Sequence, residues 1–208
     1  MERDIVIQLG ILILTLAIFY LLHTLPKRAL RSKSRPNNQA HRHFIAGAQL
    51  LARARSTKTK SSSFSLAKSA LDEADKALAL DPRDPASHIL KAMAQTLMGH
   101  KAAALKSLDV ALSPPAVKAL SNREKGDALV RRADLLIGLN RKRRVDSALA
   151  DLEEAVGLSP DNSRAFCLLG HCYEIKEMRE EARTAFQKAL QLEAGLKEAH
   201  DGLARLAS

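Results

Sequence analysis

One spacing recurs four times between residues 43 and 194. Ala-x3-apolar-x2-Ala stands at Ala70, Ala74 and Ala77; at Ala104, Leu108 and Ala111; at Ala148, Leu152 and Ala155; and at Ala182, Phe186 and Ala189. Offsets of four and three residues put each set on one face of a helix. Small residues at its ends let a second helix approach closely, and the middle residue fills the space between them. A further small residue lies upstream of each set, at Ala48, Ala92, Ala133 and Gly170, and marks the first helix of each pair. The terminal alanines are 34, 44 and 34 residues apart. Glycine, proline and aromatic residues are scarce and tryptophan is absent, so the composition favours helices over strands.

The last full unit reads Phe166-x2-Leu169-Gly170-x2-Tyr173, then Ala182-x3-Phe186-x2-Ala189. It resembles the tetratricopeptide repeat, with Phe where that family prefers Trp. Pro82 and Pro160 are counterparts of the family's turn proline, and Ala194 replaces it after the last unit. The resemblance implies an all-α, right-handed α-α superhelix over residues 41–208, with about four helix pairs. Leu196 to Ala207 reads as a final helix covering the end of the stack, because a solenoid's terminal unit otherwise exposes its apolar face. The first unit is degenerate, with Ser56 to Ser65 as extra residues between its helices, expected as a flexible basic loop open to phosphorylation. The third is stretched before Ser121 and around Arg141-Lys142-Arg143-Arg144.

Members of that family bind other proteins along the concave side, which the first helices line. Carrying the family's groove-facing pattern onto this sequence gives Ile45 and Gln49; Ile89, Met93 and Leu97; Val130, Asp134 and Ile137; and Arg164, Cys167, His171 and Ile175. The resemblance thus implies a groove for a peptide or helix with apolar anchors and a few charges. Members that hold a chaperone's C-terminal carboxylate do so with Lys, Asn and Arg. The corresponding positions here are Ile45, Gln49, Leu90, Asp127 and Arg131, and only Arg131 matches, which disfavours that subclass.

Ahead of the repeats, Ile5 to Leu25 contains no Asp, Glu, Lys or Arg. As a helix it would span about 31 Å, close to the roughly 30 Å of a bilayer's hydrocarbon core. It is apolar all round, its start is not basic, and no small-residue cleavage site follows. It is expected to be an uncleaved transmembrane anchor rather than a signal peptide or a core helix. Lys27, Arg28, Arg31, Lys33 and Arg35 follow in a basic juxtamembrane linker, residues 26–40. By the positive-inside rule they keep the repeats on the cytosolic side, and they can also meet anionic headgroups. The endoplasmic reticulum, the mitochondrial outer membrane and the plastid envelope all fit that topology.

The formal net charge is +10. Eleven Lys or Arg and no acid lie between Asp4 and Asp72; residues 1–4 sum to −1, which leaves residues 72–208 neutral. Nucleic-acid-binding domains more often carry their charge on the folded part, so a nucleic-acid partner is disfavoured. No phosphate loop, paired-cysteine zinc motif or nucleophile elbow is present, and no cofactor is expected. Cys167 and His171 are four residues apart on one helix, but zinc wants four ligands and no second pair lies nearby, so no metal is expected. Asp151, Glu153 and Glu154 read as a solvated helix face. The sequence therefore predicts a non-catalytic, membrane-anchored scaffold or adaptor. The alternatives are a lipid- or RNA-binding module that uses the basic segments, and a structural subunit of a membrane complex.

Overall fold

The computed structural model describes the backbone of residues 34–139 and 141–207, with side chains from residue 38 onward except at 141 and 142. The expected anchor over 5–25 and the basic residues from Lys27 to Lys33 lie outside this range. A compact unit spans residues 40–208. Every described regular element is helical: α1 (Ser34–Ser56), α2 (Lys60–Leu80), α3 (Pro85–Leu97), α4 (Lys101–Leu112), a 3-10 turn (Ala116–Ala119), α5 (Asn122–Leu139), α6 (Arg141–Leu158), α7 (Ser163–Ile175), α8 (Arg179–Leu192) and α9 (Lys197–Ala207). No described helix is long and apolar enough to cross a membrane.

Local chemistry sets the helix ends. The Asp84 carboxylate accepts from the amides of Ala86 (3.3 Å) and Ser87 (2.9 Å), with Pro85 in the first turn of α3. Asn162 caps α7 by accepting from the Ala165 amide at 3.1 Å. Ser121 and Glu124 form a capping box at α5: the Ser121 amide donates to Glu124 Oε2 at 2.8 Å, and the Glu124 amide donates back to Ser121 Oγ. Helix α3 stops at Gly99, whose φ of 84° lets the His100 amide donate to the Gln95 carbonyl at 2.8 Å. Glu177 takes the same left-handed place after α7, with φ of 60°, and Met178 donates to Tyr173 O at 2.9 Å.

The hairpins α3–α4, α5–α6 and α7–α8 pack as pairs, and each second helix also packs on the first helix of the next pair. First helices touch one another at α5–α7, and α7 touches α9. This is a tetratricopeptide-like solenoid. All twelve residues of the recurring spacing are at most 1 % exposed. At the C-terminal end the Phe186 ring is enclosed by two glycines. A Cβ at Gly170 or at Gly202 would come within 2.5 Å of that ring, so each glycine lets a backbone lie directly on it. Helix α9 is thereby clamped over the last pair.

The structure departs from the sequence expectations in four places. The extra residues of the first unit do not form a loop: α1 runs to Ser56 and α2 starts at Lys60, so only residues 57–59 join them. Ser63 Oγ donates to the Ala54 carbonyl at 2.8 Å and ties the lengthened hairpin together. Residues 34–40 of the expected linker are helical, with Pro36 in the first turn, where its missing amide hydrogen breaks no intrahelical bond. In α1 the residue of closest approach is Gly47, not Ala48; a Cβ there would meet Leu90 Cδ2 at 2.9 Å and the Ala70 carbonyl at 3.2 Å. Asp151 is not on a solvated face. It is 7 % exposed, and Arg132 grips it through two bonds of 2.8 and 2.7 Å.

Two substitutions of opposite sign test this packing. Gly170→Ala forces a methyl into the Phe186 ring and is expected to cost about 1–3 kcal/mol in urea denaturation. Glu177→Gly relieves a left-handed residue, a strain of about 1–2 kcal/mol offset in part by the glycine's greater chain entropy, so the midpoint should rise.

Candidate functional site

The first helices α1, α3 and α5 enclose a cleft of about 290 Å³. From α1 it takes Phe44, Ala48, Leu51, Ala52 and Arg55; from α3, Ala86, Ile89, Leu90 and Met93. Leu120, just before α5, and Glu124, Asp127, Ala128 and Arg131 on α5 complete it. Each wall is a helical stripe. Phe44, Ala48 and Arg55 follow offsets of four and seven residues, and Glu124, Asp127 and Arg131 follow three and four, with the extended Leu120 placed beside them by the turn before α5.

The polar groups are unevenly matched. Glu124 is held by the Ser121 hydroxyl and amide, which keep its carboxyl below the usual range. Asp127 accepts from Asn162 Nδ2 at 3.2 Å. Arg131 has no carboxylate within ion-pair distance among the described residues. Desolvation by the cleft walls, then repulsion from Arg55, push its pKa below the ordinary guanidinium value, against a weaker pull from Asp127. It remains a cation there. Two arginines and two carboxylates therefore line the cleft among its apolar side chains, and both carboxylates are already hydrogen-bonded, to Ser121 and Asn162.

The sequence-expected groove residues fall into three groups. Ile89, Met93 and Arg131 line the cleft. Ile45 and Gln49 lie on the exposed side of α1, off the cleft, because the register of that helix is set by Gly47. Leu97 is exposed at the end of α3, also outside it. Val130 is 4 % exposed and belongs to the central core, where Ile137 packs against it from the edge. Asp134 and Arg164 pair with each other at 2.9 Å on the surface. Cys167 is buried beside Phe186 and Ala182. His171 and Ile175 border a separate recess with Glu174 and Arg205.

In that recess the His171 ring meets Phe186 edge-on, with centroids 5.1 Å apart. Burial would raise the Glu174 carboxyl, but hydrogen bonds from Arg205 (2.8 and 3.0 Å) and His171 (3.0 Å) outweigh it and hold the pKa below its usual value. These bonds tie α7 to α9. Among the cleft residues that sequence reasoning missed are Phe44, Ala48, Arg55, Glu124 and Asp127, whose helical stripes were the available signal, and Leu120, which lies before α5 and carried no such signal.

Both cysteines are free. Burial pushes Cys167 up to about 11, with Glu198 adding to it, and Cys172 up to about 12. No cluster of three or more His, Cys, Asp or Glu suited to a metal occurs among the described residues.

Paired helices stacked this way, with an open face along the first helices, define the tetratricopeptide class of solenoid, typically a non-catalytic module for binding proteins. The tetratricopeptide repeat profile matches residues 163–195, so the chain carries a repeat of that family. No curated protein matches the sequence. Solved structures share the fold at low identity. MamA (residues 41 to the end) from Desulfovibrio magneticus RS-1 aligns with a TM-score of 0.64 at 21 % identity, covering 81 % of this chain and 83 % of that one. A tetratricopeptide protein from Thermus thermophilus gives 0.59 at 20 %, covering 80 % of each chain. Yeast Tom70 gives 0.60 at 20 %, covering 83 % of this chain but only 38 % of Tom70.

The buried thiols give a direct check. At neutral pH both cysteines should resist a maleimide in the folded chain and react once it is unfolded in urea; rapid labelling of the native chain would contradict the packing around Phe186.

Proposed function

We propose that this chain is a protein-interaction adaptor whose cleft between α1, α3 and α5 holds an apolar segment of a partner bearing an acidic side chain. The observation that carries this reading is that Arg131 and Arg55 line one cleft with Phe44, Ile89 and Met93 and have no carboxylate within ion-pair distance among the described residues. The cleft's own acids, Glu124 and Asp127, are held by Ser121 and Asn162. A carboxylate brought there with its apolar neighbours would relieve the repulsion between the two guanidiniums while burying the hydrophobic walls. The tetratricopeptide-like fold supports recognition rather than catalysis, and no catalytic role is assigned.

The adaptor is held at a membrane by residues 5–25, with its repeats facing the cytosol. The support is the sequence: an uncharged run of bilayer length followed by Lys27, Arg28, Arg31, Lys33 and Arg35. The endoplasmic reticulum, the mitochondrial outer membrane and the plastid envelope are the proposed locations, and the partner is brought to that surface.

Partners captured by proximity labelling with the whole chain provide the test. Ile89→Asp and Arg131→Glu should each weaken capture of the same partner by on the order of tenfold or more, as expected for central interface residues. Arg131 is exposed, so its variant should leave the helical circular dichroism unchanged. Ile89 also packs against the central core, so circular dichroism is checked for Ile89→Asp before its loss of capture is counted. Raising the salt should weaken binding only in part, because the apolar contacts persist. Undiminished capture by both variants would overturn the reading.

A further inference from the structure

The first hairpin differs from the rest of the solenoid in how its charges are distributed along the sequence. Later in the chain basic and acidic residues alternate, and several cations meet carboxylates: Lys91 with Asp75, Lys125 with Glu154, Arg132 with Asp151, and Lys176 with Asp146. Residues 40–71 hold six Lys or Arg and no Asp or Glu. Arg53, Lys58, Lys60 and Lys68 have no carboxylate within ion-pair distance among the described residues. The acids of α2 begin at Asp72, so the turn-proximal half of the hairpin is positive and the far half is not.

Apolar side chains are set among these cations. On α2, Phe64 is 45 % exposed and stands four residues after Lys60 and four before Lys68, so all three share one face. On α1, the side turned away from Gly47, Leu51 and Ala54 carries Arg42, Ile45, Gln49 and Arg53 at offsets of three, four and four, and Ile45 is 42 % exposed. A solenoid end is normally polar or covered. At the other end α9 supplies that cover, whereas the first pair presents a Phe and an Ile, each flanked by basic residues.

We propose that the outer face of the α1–α2 hairpin is a membrane-docking surface for an anionic phospholipid bilayer. Lys58, Lys60, Lys68 and Arg53 meet headgroup phosphates and carboxylates, while Phe64 enters the boundary with the acyl chains. Lipid is favoured over nucleic acid because the proposed anchor would hold this surface beside a bilayer. Tethering turns a weak attraction into an intramolecular one, and each basic residue near an anionic leaflet raises docking by about five-fold. The inference rests on the anchored reading. It adds that the scaffold lies down on the membrane through its first pair instead of standing free, which leaves the cleft on a different side of α1 available to a partner.

The test uses the full chain with an environment-sensitive maleimide dye on Phe64→Cys; the two buried native thiols stay unlabelled. The chain is reconstituted into vesicles of phosphatidylcholine alone or of phosphatidylcholine with phosphatidylserine. The dye should shift to the blue and be quenched by brominated lipid with phosphatidylserine, and high salt or the triple variant Lys58→Glu, Lys60→Glu, Lys68→Glu should reverse both. Wild-type chain should show slowed amide exchange over residues 57–66 in the same vesicles. An unresponsive dye on chain that stays vesicle-bound through alkaline carbonate overturns the docking surface and leaves the anchor standing. Carbonate-sensitive chain with a responsive dye sinks the anchor and keeps the surface. A dye that responds to single-stranded RNA but not to phosphatidylserine overturns the choice of lipid, and equal shifts in both vesicles overturn the charge recognition.

Discussion

Close contact between helix faces lined with alanine and glycine is the constraint on which the rest depends. A methyl group or a hydrogen at the crossing lets two helices lie against each other with little between them, and the larger Leu108, Leu152 and Phe186 close the remaining gaps. Because each second helix packs on both its own partner and the next pair, the second helices spend their apolar faces within the stack. The first helices retain a face that the stack does not cover. The cleft at Phe44, Ile89, Met93 and Arg131 is what that leftover face amounts to.

Much of this architecture is legible in the sequence because the packing is periodic. The four alanine sets and the terminal helix follow from spacing, and each is where that reasoning puts it. Reasoning failed where the period breaks. In the first pair, twenty or more residues in each helix offer several equivalent registers, and only the contact of Gly47 with Leu90 and the Ala70 carbonyl selects one. That one-residue difference turns Ile45 and Gln49 outward and brings Phe44, Ala48 and Arg55 to the cleft. Val130 and Cys167 share a stripe with groove residues, but neighbouring helices reach over them, and such coverage is a tertiary fact that a single helix does not encode. Asp151 was hidden for the same reason, since its partner Arg132 lies on another helix.

Charge divides the molecule along the chain. The neutral later pairs hold themselves with matched ion pairs, including Arg205 and Glu174 across the α7–α9 contact. The first pair matches Lys76 with Glu73 but leaves its cations before Asp72 unmatched among the described residues. It has two roles open to it on two sides of one helix: Arg55 turns into the cleft, while Arg42 and Arg53 turn outward. Recognition of an acidic partner segment and attraction to an anionic surface are thus consequences of the same local excess, separated by the helical geometry of α1.

Photocrosslinking from within the cleft tests the central claim most directly. A benzophenone side chain at Ile89, compared with the same group at the exposed Val110 on α4, reports whether a partner occupies the uncovered first-helix face. The account predicts a discrete protein adduct from Ile89 in whole membranes and none from Val110. An adduct from Val110 alone, or equal adducts from both, would contradict it.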